Sequence, residues 1–280
     1  MVFKHMKIVV TGASGFLGRA LMQDLAQRGI DAVGVSRHPC HGCIQIESYT
    51  DAPGGDVLVH LAEASDRAYA QANSPLYEQR SLATLDALQG KGFSRVVYAS
   101  SAVLYGDQEQ SLRKVGDPVH ALDAYTRLKL ASENAVLARD GIVARLVNLY
   151  GPGMAKGNVL STILGQIWQD GPVRVLDATP VRDFLWIVDA ARALALMATR
   201  ETSGVFNVGS GQGVSIRELA NVVLDAAGQA GRPVESVRVG SRLSRLVVDI
   251  APTKDVFGWY PAVTLVEGIS TLVKMNESKE

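Results

Sequence analysis

Apolar residues fall into short β-branched runs separated by stretches of helical period. The run Lys7–Val10, followed by Thr11-Gly12, predicts a strand that ends in a turn. From Phe16 to Arg28 the positions Leu17, Leu21 and Leu25 share one face and Gly29 closes the pattern, which predicts a helix. A second strand is expected over Ala32–Val35, and further strands at Val57–Leu61, Arg95–Ala99 and Val143–Val147. Helical stretches cover Leu76–Leu88 and Asp123–Arg139. Strands alternating with helices build right-handed βαβ units, so the fold expected is α/β with a doubly wound parallel sheet.

Beyond Gly151-Pro152-Gly153 the rhythm weakens. Short strands near Val173–Leu176 and Val205–Val208 alternate with helices near Val159–Gln169, Asp189–Ala198 and Ile216–Ala227. The organisation predicted is a first unit over residues 1–150 and a smaller α/β lobe over 151–280, with the chain returning to the first unit around 183–200. No internal repeat is visible, and the polar tail Asn276–Glu280 reads as disordered.

The composition is that of a soluble globular chain: 280 residues, 47% hydrophobic and 20% charged, which excludes disordered, collagen-like and coiled-coil classes. Basic and acidic residues number 28 each, so no net charge draws the chain to nucleic acid or to an anionic membrane. No run approaches the roughly 20 apolar residues of a membrane span. The opening Met1–Met6 lacks the apolar core and cleavage site of a signal peptide, and Met6 offers an alternative start. A cytoplasmic protein is expected. Cys40-His41-Gly42-Cys43, with His38 nearby, suggests redox or zinc chemistry, but a tetrahedral zinc site takes four ligands and no second C-x-x-C exists. An ordinary surface loop and no metal are expected there.

Three patterns carry chemistry. Gly12, Gly15 and Gly18 lie in T-G-A-S-G-F-L-G between the first strand and first helix, where glycines permit a tight turn and let a pyrophosphate sit on the helix N-terminus. Such a turn can also bind nothing; the strand–turn–helix context favours binding. Tyr125 and Lys129 form Y-x-x-x-K, which puts both side chains on one helix face, where an ammonium lowers a phenol's pKa. Upstream, Tyr98-Ala99-Ser100-Ser101-Ala102-Val103-Leu104-Tyr105-Gly106 sets hydroxyls just beyond a predicted strand, where open α/β sheets bind ligands.

Together these motifs resemble the extended short-chain dehydrogenase/reductases, the group of NAD(P)-dependent nucleotide-sugar epimerases, dehydratases and keto-sugar reductases. His60-Leu61-Ala62-Glu63 is close to the family's H-L-A-A, and Arg145–Pro152, Arg182–Asp189, Phe206–Gly209 and Asp249–Pro261 continue the likeness along nearly the whole chain. The resemblance implies that residues 1–150 form a dinucleotide-binding domain and 151–280 mainly a substrate-binding lobe. It implies Tyr125 as the acid/base at a sugar carbon, usually C4, with Lys129 tuning it and holding the nicotinamide ribose, and Ser101 bonding the same sugar oxygen. Cofactor contacts are implied for Gly12, Ser14, Gly15, Phe16, Leu17, Gly18, Ser36, Arg37, Leu61, Ala62, Tyr125 and Lys129. Asn148, Asn158 and Arg182 would meet the nucleotide diphosphate, with a second basic contact from Arg238 or Arg242, which spacing does not separate. The Leu82, Leu85 and Leu88 stripe is chiefly core, and a homodimer is implied by the resemblance alone.

Three departures sharpen the expectation. Val35-Ser36-Arg37 stands where NAD-preferring members carry an acidic residue; an arginine there pairs with a 2′-phosphate, so NADP is favoured, with NAD as the alternative. The segment Cys43–Val57 is shorter than the family's. Ala102-Val103 replaces the acidic pair of sugar dehydratases. The activity expected is redox chemistry at C4 of a nucleotide-linked sugar, with 4-keto reduction slightly ahead of 4-epimerisation and no dehydration. A non-catalytic dinucleotide sensor is the more distant alternative, and nucleic acid is not an expected partner.

Overall fold

Ile8, Val9 and Val10 are sealed from solvent on both faces, the signature of a strand at the centre of a parallel sheet covered by helices. The computed structural model describes residues 6–277 apart from 65, 239 and 241. The first half runs β1 (Ile8–Thr11), α1 (Phe16–Gln27), β2 (Ala32–Ser36), β3 (Cys43–Gln45), β4 (Val57–His60), α2 (Arg67–Ala72), α3 (Leu76–Gln89), β5 (Arg95–Ser101), α4 (Ala124–Leu137) and β6 (Ile142–Leu146). It continues with β7 (Asn148–Tyr150), α5 (Val159–Leu164), β8 (Val173–Val175), β9 (Val181–Trp186), α6 (Ile187–Thr199) and β10 (Gly204–Val208). The last stretch holds β11 (Gly213–Ser215), α7 (Ile216–Ala226), β12 (Val234–Ser236), β13 (Arg245–Leu246), α8 (Ala251–Phe257) and α9 (Leu265–Glu277).

The main sheet is parallel, in the order β10-β6-β5-β4-β1-β2-β3. From β1 the chain winds outward through β2 and β3, then crosses to β4 on the other side. That reversal opens a crevice at the C-terminal ends of β1 and β4, where open sheets of this kind bind ligands. The pleat divides the core. Ile8, Val10, Val57 and Val59 pack with Leu21 and Leu25 of α1 and the alanine-rich α6. Val9, Leu58, Val96, Tyr98 and Val143 face Leu85 and Leu88 of α3 and Val136 of α4. A second core joins Leu160 and Ile163 of α5, Phe184 and Trp186 of β9, and Leu219 and Val223 of α7.

The structure adds short elements that the sequence pattern does not announce, and it departs from the expectation at several others. The helix expected over Val159–Gln169 ends at Leu164, with Gly165 as its C-cap. β9 was not expected as a strand, because Arg182 and Asp183 interrupt its apolar run. Asp183 is nevertheless fully buried: its carboxylate accepts from the Ser210 amide (2.8 Å), the Ser210 hydroxyl (2.6 Å) and the Gly211 amide (3.1 Å). Strand β10 pairs in parallel with β6 and forms the edge of the main sheet rather than part of the lobe. Asn276 and Glu277 of the tail expected as disordered continue α9; 278–280, like the opening residues 1–5, lie outside the described residues. Among the described residues no helix is long and apolar enough to cross a membrane.

Gly18 is the tightest point of the first βα unit. A Cβ built on it would lie 2.2 Å from the Gly12 carbonyl oxygen, so α1 sits against the turn only because the side chain is missing. Gly18→Ala therefore forces the helix outward, and urea denaturation should show a loss of about 1–3 kcal/mol, the usual cost of overpacking a close contact.

Candidate active site

The crevice begins at the glycine turn. Gly12 has φ +74°, and a Cβ there would approach the Leu61 carbonyl carbon to 3.0 Å. The Gly15 amide donates to the Gly12 carbonyl (2.9 Å). Helix α1 then starts at Phe16 with no side-chain cap and no acidic residue in its first turn. Its first amides and positive dipole end are thus left for an anionic group. Arg19 adds a positive charge beside this turn and donates to the Ser14 carbonyl. Leu61 and Ala62 follow β4 on the other wall of the crevice, tied by the Leu61 amide to the Thr11 carbonyl (3.2 Å).

At the end of β2 the Ser36 hydroxyl is buried and bonded to the Ser14 hydroxyl (2.6 Å). Arg37 beside it is exposed, with its guanidinium 5.3 Å from the centre of the Tyr49 ring. Among the described residues Arg37 has no acidic partner. The C-x-x-C segment, expected as an ordinary surface loop, is a turn with exposed His41 and Gly42 whose cysteines are joined as a disulfide, a link that their spacing did not announce. No group of three or more metal-ligating side chains lies together among the described residues.

The reactive end is built where β5 meets α4. Asp123 caps α4 in a reciprocal box with Thr126, fixing the turn that carries Tyr125. One turn on, Lys129 is buried, with its ammonium 5.8 Å from the centre of the Tyr125 ring. Ser101 ends β5 and its hydroxyl accepts from the Val103 amide (3.3 Å). Ala102 and Val103 open the following 3-10 turn without an ionisable group.

Lys129 is not alone. It donates to the Ala99 carbonyl (2.8 Å) and pairs with the Glu63 carboxylate (3.0 Å). Glu63 also accepts from the Tyr98 hydroxyl (2.5 Å) and the Ser132 hydroxyl (2.9 Å). Burial by itself would raise the Glu63 carboxyl, but Lys129, His60 and the Tyr98 hydrogen bond hold it below its ordinary value. Burial likewise works to lower Lys129, and the Glu63 charge keeps it above its usual range. The pair is therefore ionised. His60, which shares a hydrogen bond of 2.8 Å with the Thr11 hydroxyl, is lowered to about 4 by burial against the opposing pull of Glu63, and is neutral near pH 7.

A second buried pair lies behind β5. Arg145 meets Glu133 at 2.7 Å, the Ser100 hydroxyl donates to Glu133 (2.5 Å), and the guanidinium lies 4.8 Å from the Tyr105 ring centre. Tyr105 in turn donates to Asn207 of β10 (2.8 Å). This frame fixes the end of β5 and with it Ser101.

On the lobe side, Arg182 of β9 meets Asp107 (3.0 Å) and the Ser244 hydroxyl (2.8 Å), and Arg242 reaches the same Asp107 at 3.6 Å. Arg242 thus shares the Asp107 carboxylate with Arg182. Arg238 is exposed, its amide bonded to the Leu176 carbonyl (3.0 Å). Asn148 donates to the Asp183 carbonyl (3.1 Å). Asn158 is engaged as the N-cap of α5, accepting from the Ser161 amide (2.9 Å).

Residues 8–209 match the sequence model of the NAD dependent epimerase/dehydratase family. The chain belongs to that family. It is similar to dTDP-glucose 4,6-dehydratase of Streptomyces griseus, 28% identical over 306 residues, covering 95% of this chain and 92% of the relative. It is equally similar to GDP-6-deoxy-D-mannose reductase of Pseudomonas aeruginosa, 28% identical over 300 residues and covering 98% of each. The structure of RMD from Pseudomonas aeruginosa complexed with NADPH superposes with a TM-score of 0.85 at 26% identity, over 98% of this chain and 100% of that one.

As a member of the epimerase/dehydratase family the chain is an NAD(P)-dependent enzyme, and the glycine turn fits a dinucleotide: Cβ atoms at Gly12 and Gly18 would fill the cradle, and the amides of α1 are uncapped. Sequence reasoning left Glu63, Asp107 and Arg19 without a role. Glu63 was detectable as an acid where the family pattern has alanine. Asp107 had no such signal, because its partners come from β9 and from the loop before β13.

The buried neutral His60 makes stability depend on pH. The unfolded chain takes up a proton near 6.5 and the folded one only near 4, so stability is full above 6.5 and is lost as pH falls between these values. Urea denaturation of the native chain should show a loss of about 2 kcal/mol from pH 7 to pH 5. His60→Asn, with no proton to take up, should lose clearly less over that interval.

Proposed function

We propose that the enzyme reduces the 4-keto group of a nucleotide-linked sugar with NADPH. The observation that carries this reading is the pair Tyr125 and Lys129 on α4, with Lys129 bonded to the Ala99 carbonyl near the end of β5, where Ser101 opens a turn that offers no carboxylate at 102 and 103. Dehydration needs an acid for the departing hydroxyl and a base for the C5 proton, and neither Ala102 nor Val103 moves a proton. Hydride and proton exchange at C4 needs only the set present.

In this reading residues 1–150 bind the dinucleotide, with its pyrophosphate on Gly12, Ser14, Gly15, Phe16, Leu17 and Gly18 and its adenosine end by Ser36 and Arg37. Leu61 and Ala62 line the nicotinamide side. The dinucleotide, when bound, supplies the hydride. Tyr125 gives its phenolic proton to the C4 oxygen, Ser101 hydrogen-bonds that oxygen, and Lys129 stabilises the phenolate and holds the ribose. Arg182 and Arg242 meet the diphosphate, displacing their contacts with Asp107, with Asn148 and Asn158 nearby. The exposed Tyr69 and Leu76 leave apolar surface for a second copy of the chain.

A 4-epimerase is the second reading, because the same three side chains suffice for it. The intact Ser101–Tyr125–Lys129 set argues against a non-catalytic sensor. Incubation with NADPH and a panel of nucleotide 4-keto-6-deoxysugars, and separately with UDP- and GDP-hexoses without added cofactor, separates the two. NADPH oxidation with a keto-sugar is the result expected; C4 epimers without it select the epimerase.

Tyr125→Phe should lower turnover by roughly 10²–10⁴-fold, the usual weight of positioned proton transfer, and leave cofactor binding intact. Stopped-flow turnover within threefold of the native enzyme would show the assignment wrong. Arg37→Ala should weaken NADPH by roughly 10–150-fold, the worth of one charge-assisted hydrogen bond, while NADH changes little in the same calorimetric titration.

A further inference from the structure

We propose that Glu63 is a positioning residue that clamps the Lys129 ammonium and offsets its charge beside Tyr125, keeping the phenol in the proton-donating form that carbonyl reduction uses. The inference deepens the reductase reading and rests on it.

The geometry leaves Glu63 little freedom. Its side chain is 3% exposed and that of Lys129 7%, so water screens neither. Both carboxylate oxygens are held: one accepts from Ser132, three residues beyond Lys129 on α4, and the other from Tyr98 of β5 and from Lys129 itself. With the Ala99 carbonyl taking a second ammonium proton, the position of Lys129 is set from β4's following turn, from β5 and from α4 at once.

The electrostatics give the pair its consequence. A lone ammonium beside a phenol favours the phenolate, because the opposite charges attract in a medium that screens them poorly. A carboxylate 3.0 Å from that ammonium turns the single charge into a dipole, whose field falls off faster. The other groups facing the pair do not replace it. His60, from β4, is neutral; Tyr98, from β5, is held protonated well above the usual phenol range by burial and by Glu63; and Tyr77, from α3, is a phenol. The nearby Glu133 of α4 is already matched by Arg145. Glu63 is therefore the anion that decides how strongly Lys129 acts on Tyr125.

The proton inventory of reduction shows why this matters. As C4 gains hydride, its oxygen takes the Tyr125 proton, and the phenolate left behind regains one from solvent before the next turnover. Only the phenol starts that sequence, so reduction fails at the pH where Tyr125 ionises.

The test reads Tyr125 directly. The phenolate absorbance of the native enzyme, with Tyr125→Phe as the reference, gives an ionisation midpoint without any substrate. Glu63→Gln, referenced to the double variant with Tyr125→Phe, should move that midpoint down by about one to two pH units, the scale of one unscreened neighbouring charge. The alkaline limb of reductive turnover, measured with NADPH and a nucleotide 4-keto-6-deoxysugar, should move down with it. Glu63→Ala carries the same expectation if the glutamine variant unfolds. A midpoint that stays in place in a folded variant overturns the proposal, as does the failure of both variants to fold, which assigns Glu63 to the core alone. Failure of the reductase reading appears separately, as absence of NADPH oxidation in the native enzyme while the absorbance shift persists.

Discussion

The close contact between Gly18 and the Gly12 carbonyl is the constraint on which the rest of the molecule depends. Only a missing side chain lets α1 begin directly over the end of β1, and only that start leaves uncapped amides at the crevice. The same turn presses against the first residues after β4, since a Cβ on Gly12 would meet the Leu61 carbonyl carbon. The glycine turn thus brings together the strand that leads into the uncapped end of α1 and the strand whose following residues carry Glu63.

From there polar groups continue the construction inward. An unpaired charge in a core costs several kcal/mol, so the buried charged groups around β5 occur in matched sets. Lys129 is met by Glu63, and Arg145 by Glu133. Each set also ties hydroxyls, Tyr98 and Ser132 in one case and Ser100 in the other. The second set reaches β10 through Tyr105 and Asn207, so the edge strand of the sheet helps to hold the strand that ends at Ser101. Arg182 and Arg242 differ in kind. They share Asp107 on a more exposed surface.

The sequence by itself determined the parts of this protein whose information is local. Periodicity marked the central strands and the helices α1, α3 and α4, because burial on both faces of a strand and on one face of a helix writes directly into residue order. The glycine turn and the Tyr125–Lys129 spacing were legible for the same reason: each is a short segment whose chemistry follows from residue type and separation. Tertiary structure decided the rest. β9 escaped notice because its buried Asp183 is satisfied by amides near residue 210, a partner no local window contains. The pairing of Arg242 with Asp107 joins residues more than a hundred positions apart. Glu63 and Lys129 are 66 positions apart, and whether a buried carboxylate destabilises a core or completes an active site depends on which cation the fold sets beside it.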